Sequence, residues 1–270
     1  MHRRMDRLCA NGPASNLINA ATPAHPNWAC TLPCATAGAV VWRVDLSLGT
    51  ALPPERTAWL SDEERVRGDR FLRTEDRARF VESHAALRLI LAGYVNRRPQ
   101  DLSFVQEADG KPVLASHHRA GLHFNLSHSG SFALVAVSTE TPIGVDVEAI
   151  RPVGDPLAIA RAHFHPREIT ALVQMPRSLQ ASAFFRLWTR KEAVVKALGT
   201  GLMHPLDGFD VSVAEPSTLS VTWEGADPLG SGWSLSNLDL GPEAAGAVAI
   251  PRPGQTCHLY RLPENWAVRI

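Results

Sequence analysis

Apolar and polar residues alternate with two different periods along this chain, and the changes of period mark its elements. The segment AVVWRVDLSL (39–48) alternates with period two and predicts a strand at which folded structure begins. Ser61 followed by Glu64 is a capping-box pattern that opens a short charged helix running toward Phe71. From Thr74 to Tyr94 the period lengthens, and Phe80, Leu87, Leu91 and Tyr94 fall on the apolar side of a longer helix. Period two returns in FNLSHSGSFALVAVS (124–138) and IGVDVEAI (143–150), read as strands separated by the turn-forming TETP. Helices are expected again at Pro166–Gln174 and Ser178–Leu198, the second stopped by Gly199 as a C-cap. The remainder (DGFDVSVAE, TLSVTWEG, GWSLSNLDL, GAVAIP) reads as short strands with polar turns.

Strand, helices and strands are thus followed by strand, helices and strands. The doubling predicts an α+β protein of two similar halves split near 143–150, on element order alone, because no residue-level repeat accompanies it. The expected division is 1–37, 38–143 and 144–270, the first being an Ala-, Pro-, Asn- and Thr-rich stretch without periodicity, read as a disordered extension. With 27 basic and 27 acidic side chains, the balance argues against an extended nucleic-acid or membrane footprint. No run is long enough to span a bilayer, and no apolar core follows the charged N-terminus, so a cytoplasmic location is expected. Cys9, Cys30, Cys34 and Cys257 lack the paired spacing of a zinc site and are read as reduced thiols.

Three motifs carry chemistry. In GVDVE, Asp146 and Glu148 are two apart on a strand and share a face, where they repel unless a cation or donors neutralise them. A hard divalent ion such as Mg²⁺ would do so, and a solvated strand face is the alternative. In WTRKEAVVKALGTGL (188–202), Trp188, Glu192 and Lys196 form one helical stripe, so Glu192 would complete a metal site with Lys196 one turn on. The alternative there is a surface Glu–Lys pair beside a core tryptophan; Lys191 points about 100° away, toward solvent or backbone. NLSHSG (125–130) is a polar tight segment that presents Ser127 and His128 to a phosphate oxygen or merely stabilises a turn; no nucleophile elbow surrounds it. The arginines at 65, 67, 70, 73, 77, 79 and 88 and Lys111 of GKP are mostly solvated helix faces, with a minority available for an anion pocket. His117, His118, His123, His163 and His165 form no metal set.

Taken together, GVDVE and WTRKEAVVKALGTGL about forty residues later resemble the 4′-phosphopantetheinyl transferase superfamily, in its longer Sfp-type group. The resemblance covers about residues 39–262, including GKP, FNLSHSG and RFLRTEDRARF. It implies a pseudo-dimer of two α+β halves with coenzyme A in the cleft between them. It also implies transfer of the phosphopantetheine arm to a serine of an apo acyl or peptidyl carrier protein, releasing 3′,5′-ADP. By the same resemblance Asp146, Glu148 and Glu192 hold Mg²⁺, for which Mn²⁺ would substitute. Lys196, His128, Ser127 and Lys111 contact the substrate phosphates, and Arg67, Arg79 and Arg88 fall where relatives place cationic contacts. Glu192, Lys196 and His128 are the catalytic set, with Glu192 or a water as base; Glu64 stands where some relatives carry a basic residue. A monomer is implied. The other readings are a non-catalytic carrier-binding module of the same fold and a transferase acting on another nucleotide diphosphate.

Overall fold

A computed structural model describes residues 17–21, 39–46, 52–107, 110–118, 121–199, 204–211, 213, 219–263 and 266. The first described element is β1 (Leu17–Ala21), and the same unit is then built twice. The first unit is β2 (Ala39–Asp45), helices α1 (Pro54–Ala58), α2 (Asp62–Asp69) and α3 (Thr74–Val95), and two hairpins, β3 (Phe104–Gln106) with β4 (Pro112–Leu114) and β5 (His123–Ser129) with β6 (Phe132–Ser138). The second unit is β7 (Gly144–Ala149), helices α4 (Pro156–His163), α5 (Pro166–Gln174) and α6 (Arg177–Leu198), and hairpins β8 (Phe209–Val211) with β9 (Val221–Trp223) and β10 (Ser234–Asp239) with β11 (Ala244–Ile250). The last strand among the described residues is β12 (Cys257–Arg261).

Strand pairing repeats as well. β6 pairs antiparallel with both β5 and β2, and β11 pairs antiparallel with both β10 and β7. Helices α3 and α6 each have 22 residues and end on a left-handed C-cap, Asn96 at φ 52° and Gly199 at φ 79°. The expected capping box is present, Ser61 Oγ accepting from Glu64 N–H while Glu64 accepts from Ser61 N–H.

One sheet unites the halves in the order β5-β6-β2-β12-β1-β10-β11-β7. Every position of β6 and β11 is buried, which is why both read as nearly unbroken apolar runs. Val40, Trp42, Val44, Val135 and Val137 face α3 in one core, and Ala245, Ala247 and Ala249 face α6 in another. Val41, Leu134, Ala136, Val145, Val147 and Val248 point the other way and meet in a third core between the two halves of the sheet.

Three boundaries differ from expectation. Leu17–Ala21 lies inside the stretch read as disordered, yet it forms a strand parallel to β10 and β12; residues 1–16 and 22–38 lie outside the described residues. The tail does not belong to the second half. β12 pairs parallel with β2, and Leu262 and Trp266 pack in the first core. NLSHSG is not a tight segment; its first five residues run along β5, and Gly130, at φ 56°, begins the turn into β6.

The approach of α6 to β7 depends on one missing side chain. A Cβ on Gly144 would lie 2.0 Å from the Ala193 carbonyl oxygen and 2.4 Å from Ala197 N, so only glycine lets helix and strand pack this closely. Gly144→Ala is expected to cost about 3 kcal/mol of folding stability or more, because backbone rather than a mobile side chain must give way. Urea unfolding measures it, and a loss below about 1 kcal/mol would contradict the packing argument.

Candidate active site

The site forms where the sheet's two outer strands meet. β7 pairs with β11 on one side only, so the N–H groups of Val145, Val147 and Ala149 on the other side need acceptors. Strand β5 supplies them from side chains. Asn125 Oδ1 accepts from Val145 N–H at 2.9 Å, Ser127 Oγ from Val147 N–H at 3.3 Å and Ser129 Oγ from Ala149 N–H at 3.1 Å. Their spacing of two puts all three on one face of β5. The serine hydroxyls then donate onward, Ser127 to Asp146 Oδ1 at 2.8 Å and Ser129 to Glu148 Oε2 at 2.7 Å.

Asp146 is 4% exposed, which removes the solvated-face alternative for it. Lys196 reaches across from α6, its Nζ donating to Asp146 Oδ1 at 2.6 Å and to Ser127 Oγ at 3.1 Å. It therefore pairs with Asp146 and not with Glu192, one turn away on its own helix. Glu192 is half-buried and has no hydrogen bond or ion pair among the described residues. Burial pushes the pKa of all three carboxyls up. The charge of Asp146 adds to this at Glu148 and Glu192, and that of Glu148 adds at Glu192, while Lys196 opposes it at each.

Asp146 Oδ2 is buried without a partner. An orphaned carboxylate oxygen, two further half-buried carboxylates and mutual repulsion are chemistry that could hold a hard divalent cation. Yet no three of the described His, Cys, Asp and Glu side chains already stand close enough to form a cation cage. The Lys196 ammonium rests on Asp146 instead.

A cavity of about 820 Å³ opens beside this seam, within the usual size of small-molecule sites. Its walls include Arg67, His84, Arg88, Phe104, Lys111 and His128. Lys111 Nζ donates to the Lys196 carbonyl at 3.0 Å, tying the cavity rim to the end of α6. His128 is exposed and faces away from its buried neighbour Ser127, as strand alternation requires. Surrounding protein lowers its pKa, followed by the charges of Arg79 and Lys196, so the imidazole is neutral at pH 7.

The arginines separate. Arg67 is exposed at the cavity with its guanidinium 5.5 Å from the Phe80 ring centroid. Arg79 donates to Gly130 O at 2.9 Å and to Asp76 at 2.5 Å, steadying the β5–β6 turn. Arg88 lines the cavity yet is 1% exposed and bonded to Glu64, Pro99 O and Leu102 O. Lys191 is fully buried on backbone carbonyls rather than in solvent. Trp188 and Glu192 line a second cavity of about 240 Å³ with His163 and His204.

His84 escaped notice in the sequence because nothing marks a lone helical histidine. It stacks on Phe80 at 3.9 Å, and its Nδ1–H donates to Phe80 O at 2.9 Å. Burial, with His128 and Arg67 nearby, lowers its pKa to about 3. Below the unfolded value the unfolded chain binds a proton that the folded protein refuses, so stability falls with pH between 6.5 and about 3. The slope from this group is at most about 1.4 kcal/mol per pH unit. Denaturant titrations at pH 7 and pH 5 should show a smaller acid loss in His84→Gln than in the wild type; an equal loss would reject the assignment.

Comparison with known proteins agrees with the duplicated architecture. Residues 142–249 match the family model described as the 4′-phosphopantetheinyl transferase superfamily, and residues 55–140 match the one described as 4′-phosphopantetheinyl transferase, N-terminal. The 4′-phosphopantetheinyl transferase HetI of Nostoc sp. (strain PCC 7120) is 36% identical over 213 residues, covering 78% of this chain and 86% of its own. The 4′-phosphopantetheinyl transferase Sfp of Bacillus subtilis (strain 168) is 31% identical over 164 residues, covering 61% of this chain and 71% of its own.

Proposed function

The chain belongs to the 4′-phosphopantetheinyl transferase superfamily, and from that membership we propose that Asp146, Glu148 and Glu192 hold Mg²⁺ while it moves the 4′-phosphopantetheine arm of coenzyme A onto a carrier-protein serine. The protein is a 4′-phosphopantetheinyl transferase. The observation that carries the residue assignment is the seam: three carboxylates on two elements, one with a buried orphan oxygen, beside a cavity of substrate size.

When bound there, Mg²⁺ supplies charge neutralisation for the diphosphate and its leaving group. The protein's own groups do the rest. With Asp146 holding the ion, the Lys196 ammonium would leave that carboxylate and turn to the phosphate oxygens. His128, neutral, donates its one N–H to the same phosphate, and Lys111 and Arg67 hold the substrate along the cavity. Glu192 or a water takes the proton of the carrier serine. The serine oxygen bonds to the phosphorus bearing the pantetheine arm as the bond to 3′,5′-ADP breaks. No enzyme nucleophile takes part, because positioning and charge suffice for direct transfer. Ser127, which donates to Asp146 and accepts from Val147 N–H, orients that carboxylate.

The carrier belongs to fatty-acid, polyketide or non-ribosomal-peptide synthesis, and the enzyme works as a cytoplasmic monomer. One chain supplies both sides of the seam, which supports the monomer; no described helix is long and apolar enough to cross a membrane.

Incubation with coenzyme A, Mg²⁺ and a panel of apo carriers is expected to add one phosphopantetheine mass to at least one carrier. Failure on every carrier, with folded enzyme confirmed, would sink the proposal. Asp146→Asn is expected to lower transfer at least about a hundredfold. Near-normal turnover at limiting Mg²⁺ would refute the metal assignment. A second measurement needs no turnover. Because its raised pKa makes the ionised Glu192 cost stability above that pKa, Glu192→Gln is expected to melt higher than wild type without metal at pH 8, and to gain less from added Mg²⁺. Equal metal-induced gains in both proteins would exclude Glu192 as a ligand.

A further inference from the structure

The two halves share more than their element order. Arg88 is the fifteenth residue of α3, and Lys191 is the fifteenth residue of α6. Both are buried, at 1% and 0% exposure. Each pairs with the glutamate at the third position of the preceding helix, Arg88 with Glu64 at 2.7 Å and Lys191 with Glu168 at 2.9 Å. Each of those glutamates also closes a capping box, accepting the N–H of Ser61 or of His165.

The carbonyl partners repeat in the same way. Arg88 Nη1 donates to Pro99 O and Leu102 O, both at 3.0 Å, and Lys191 Nζ donates to Leu206 O at 2.7 Å and Phe209 O at 2.6 Å. In each half the first carbonyl opens a one-turn 3₁₀ helix, Pro99–Asp101 or Leu206–Gly208, and the second lies just after it. A phenylalanine lies under each cation, Phe104 at 5.0 Å and Phe209 at 4.3 Å. The clamped segment walls a cavity in both halves. Leu102, Ser103 and Phe104 line the large one, while His204, Pro205 and Leu206 line the small one with Glu192.

We propose that Arg88 and Lys191 are equivalent positioning residues: each latches its half's 3₁₀ segment to the long helix and so fixes one wall of a binding cavity. Arg88 in this role does not hold a substrate phosphate. It acts through the segment that leads into the β3–β4 hairpin and Lys111. Lysine replaces arginine poorly where two parallel bonds are required, but here the second half shows a single ammonium serving a carboxylate and two carbonyls at once. The carboxylate is part of the device. A glutamate held against a phosphate-binding arginine would oppose an anionic ligand, whereas a latch requires it.

The part of this inference that concerns coenzyme A rests on the function proposed above; the latch itself does not. The test compares Arg88→Lys, Arg88→Met and Glu64→Gln in the full chain. Without any ligand, amide hydrogen exchange over residues 102–106 is expected to rise in Arg88→Met and Glu64→Gln and to stay near wild type in Arg88→Lys. Unchanged exchange in the first two variants would overturn the latch whatever the substrate. In transfer assays, Arg88→Met and Glu64→Gln are expected to raise KM for coenzyme A and for 3′-dephospho-coenzyme A by the same factor, at least about tenfold, with Arg88→Lys staying within about threefold of wild type. Tighter coenzyme A binding in Glu64→Gln, or a loss in Arg88→Met confined to the 3′-phosphorylated substrate, would make Arg88 a phosphate ligand and overturn the proposal. Should Arg88→Met fail to fold, Glu64→Gln and Arg88→Lys still decide between the two roles.

Discussion

The side-chain seam between β5 and β7 is the contact on which both the architecture and the chemistry depend. Two strands side by side would ordinarily share a backbone ladder. Here Asn125, Ser127 and Ser129 accept the β7 N–H groups instead, which holds the strands together through side chains. The same hydroxyls donate to Asp146 and Glu148, so the bonds that join the halves also orient the acids. A backbone ladder would have satisfied the N–H groups but supplied neither Asp146 nor Glu148 with a hydroxyl donor.

Around that seam the two halves are one frame put to different uses. Both carry the long helix with its left-handed cap and a buried cation at the same helical position. The first half has its large cavity between α2, α3, the small hairpin and β5. The second contributes the acids of β7 and the Glu192–Lys196 stripe of α6, drawn against the strand through the absent Cβ of Gly144. Each half lacks what the other has, and β12 and β1 bridge them on the far side of the sheet. The site is therefore a product of the pairing.

Buried charges are treated in two opposite ways within this molecule. Glu168 is fully satisfied, its oxygens taking Lys191, His165 N–H and Val211 N–H, and it serves the fold. Asp146 retains an orphan oxygen and Glu192 has no partner among the described residues, although burial makes their charge unfavourable. The first arrangement is a completed network. The second leaves electrostatic stress that the proposed cation would relieve, which would tie ligand binding to stability.

Much of this was legible in order of residues alone. Periodicity placed α3, α5, α6 and strands in both halves, though not β3 and β4, because each buries a defined face and the face repeats with the element's own pitch. The i, i+2 spacing of Asp146 and Glu148 and the i, i+4 spacing of Glu192 and Lys196 likewise follow from local geometry. What lay beyond reach were relations between distant segments. Short strands such as β1 and β12 have too few residues to show a period and exist through their partners. The resemblance grouped Arg88 with Arg67 and Arg79 as cationic contacts, and only tertiary packing set Glu64 and two carbonyls around it. Lys196 stood one turn from Glu192, yet in the fold its ammonium crosses to Asp146. The sequence by itself determined which chemical groups each element presents, because side-chain direction is a property of helix and strand. Which of those groups meet was decided by tertiary structure, because it depends on how closely separate backbones can approach, as Gly144 shows against α6.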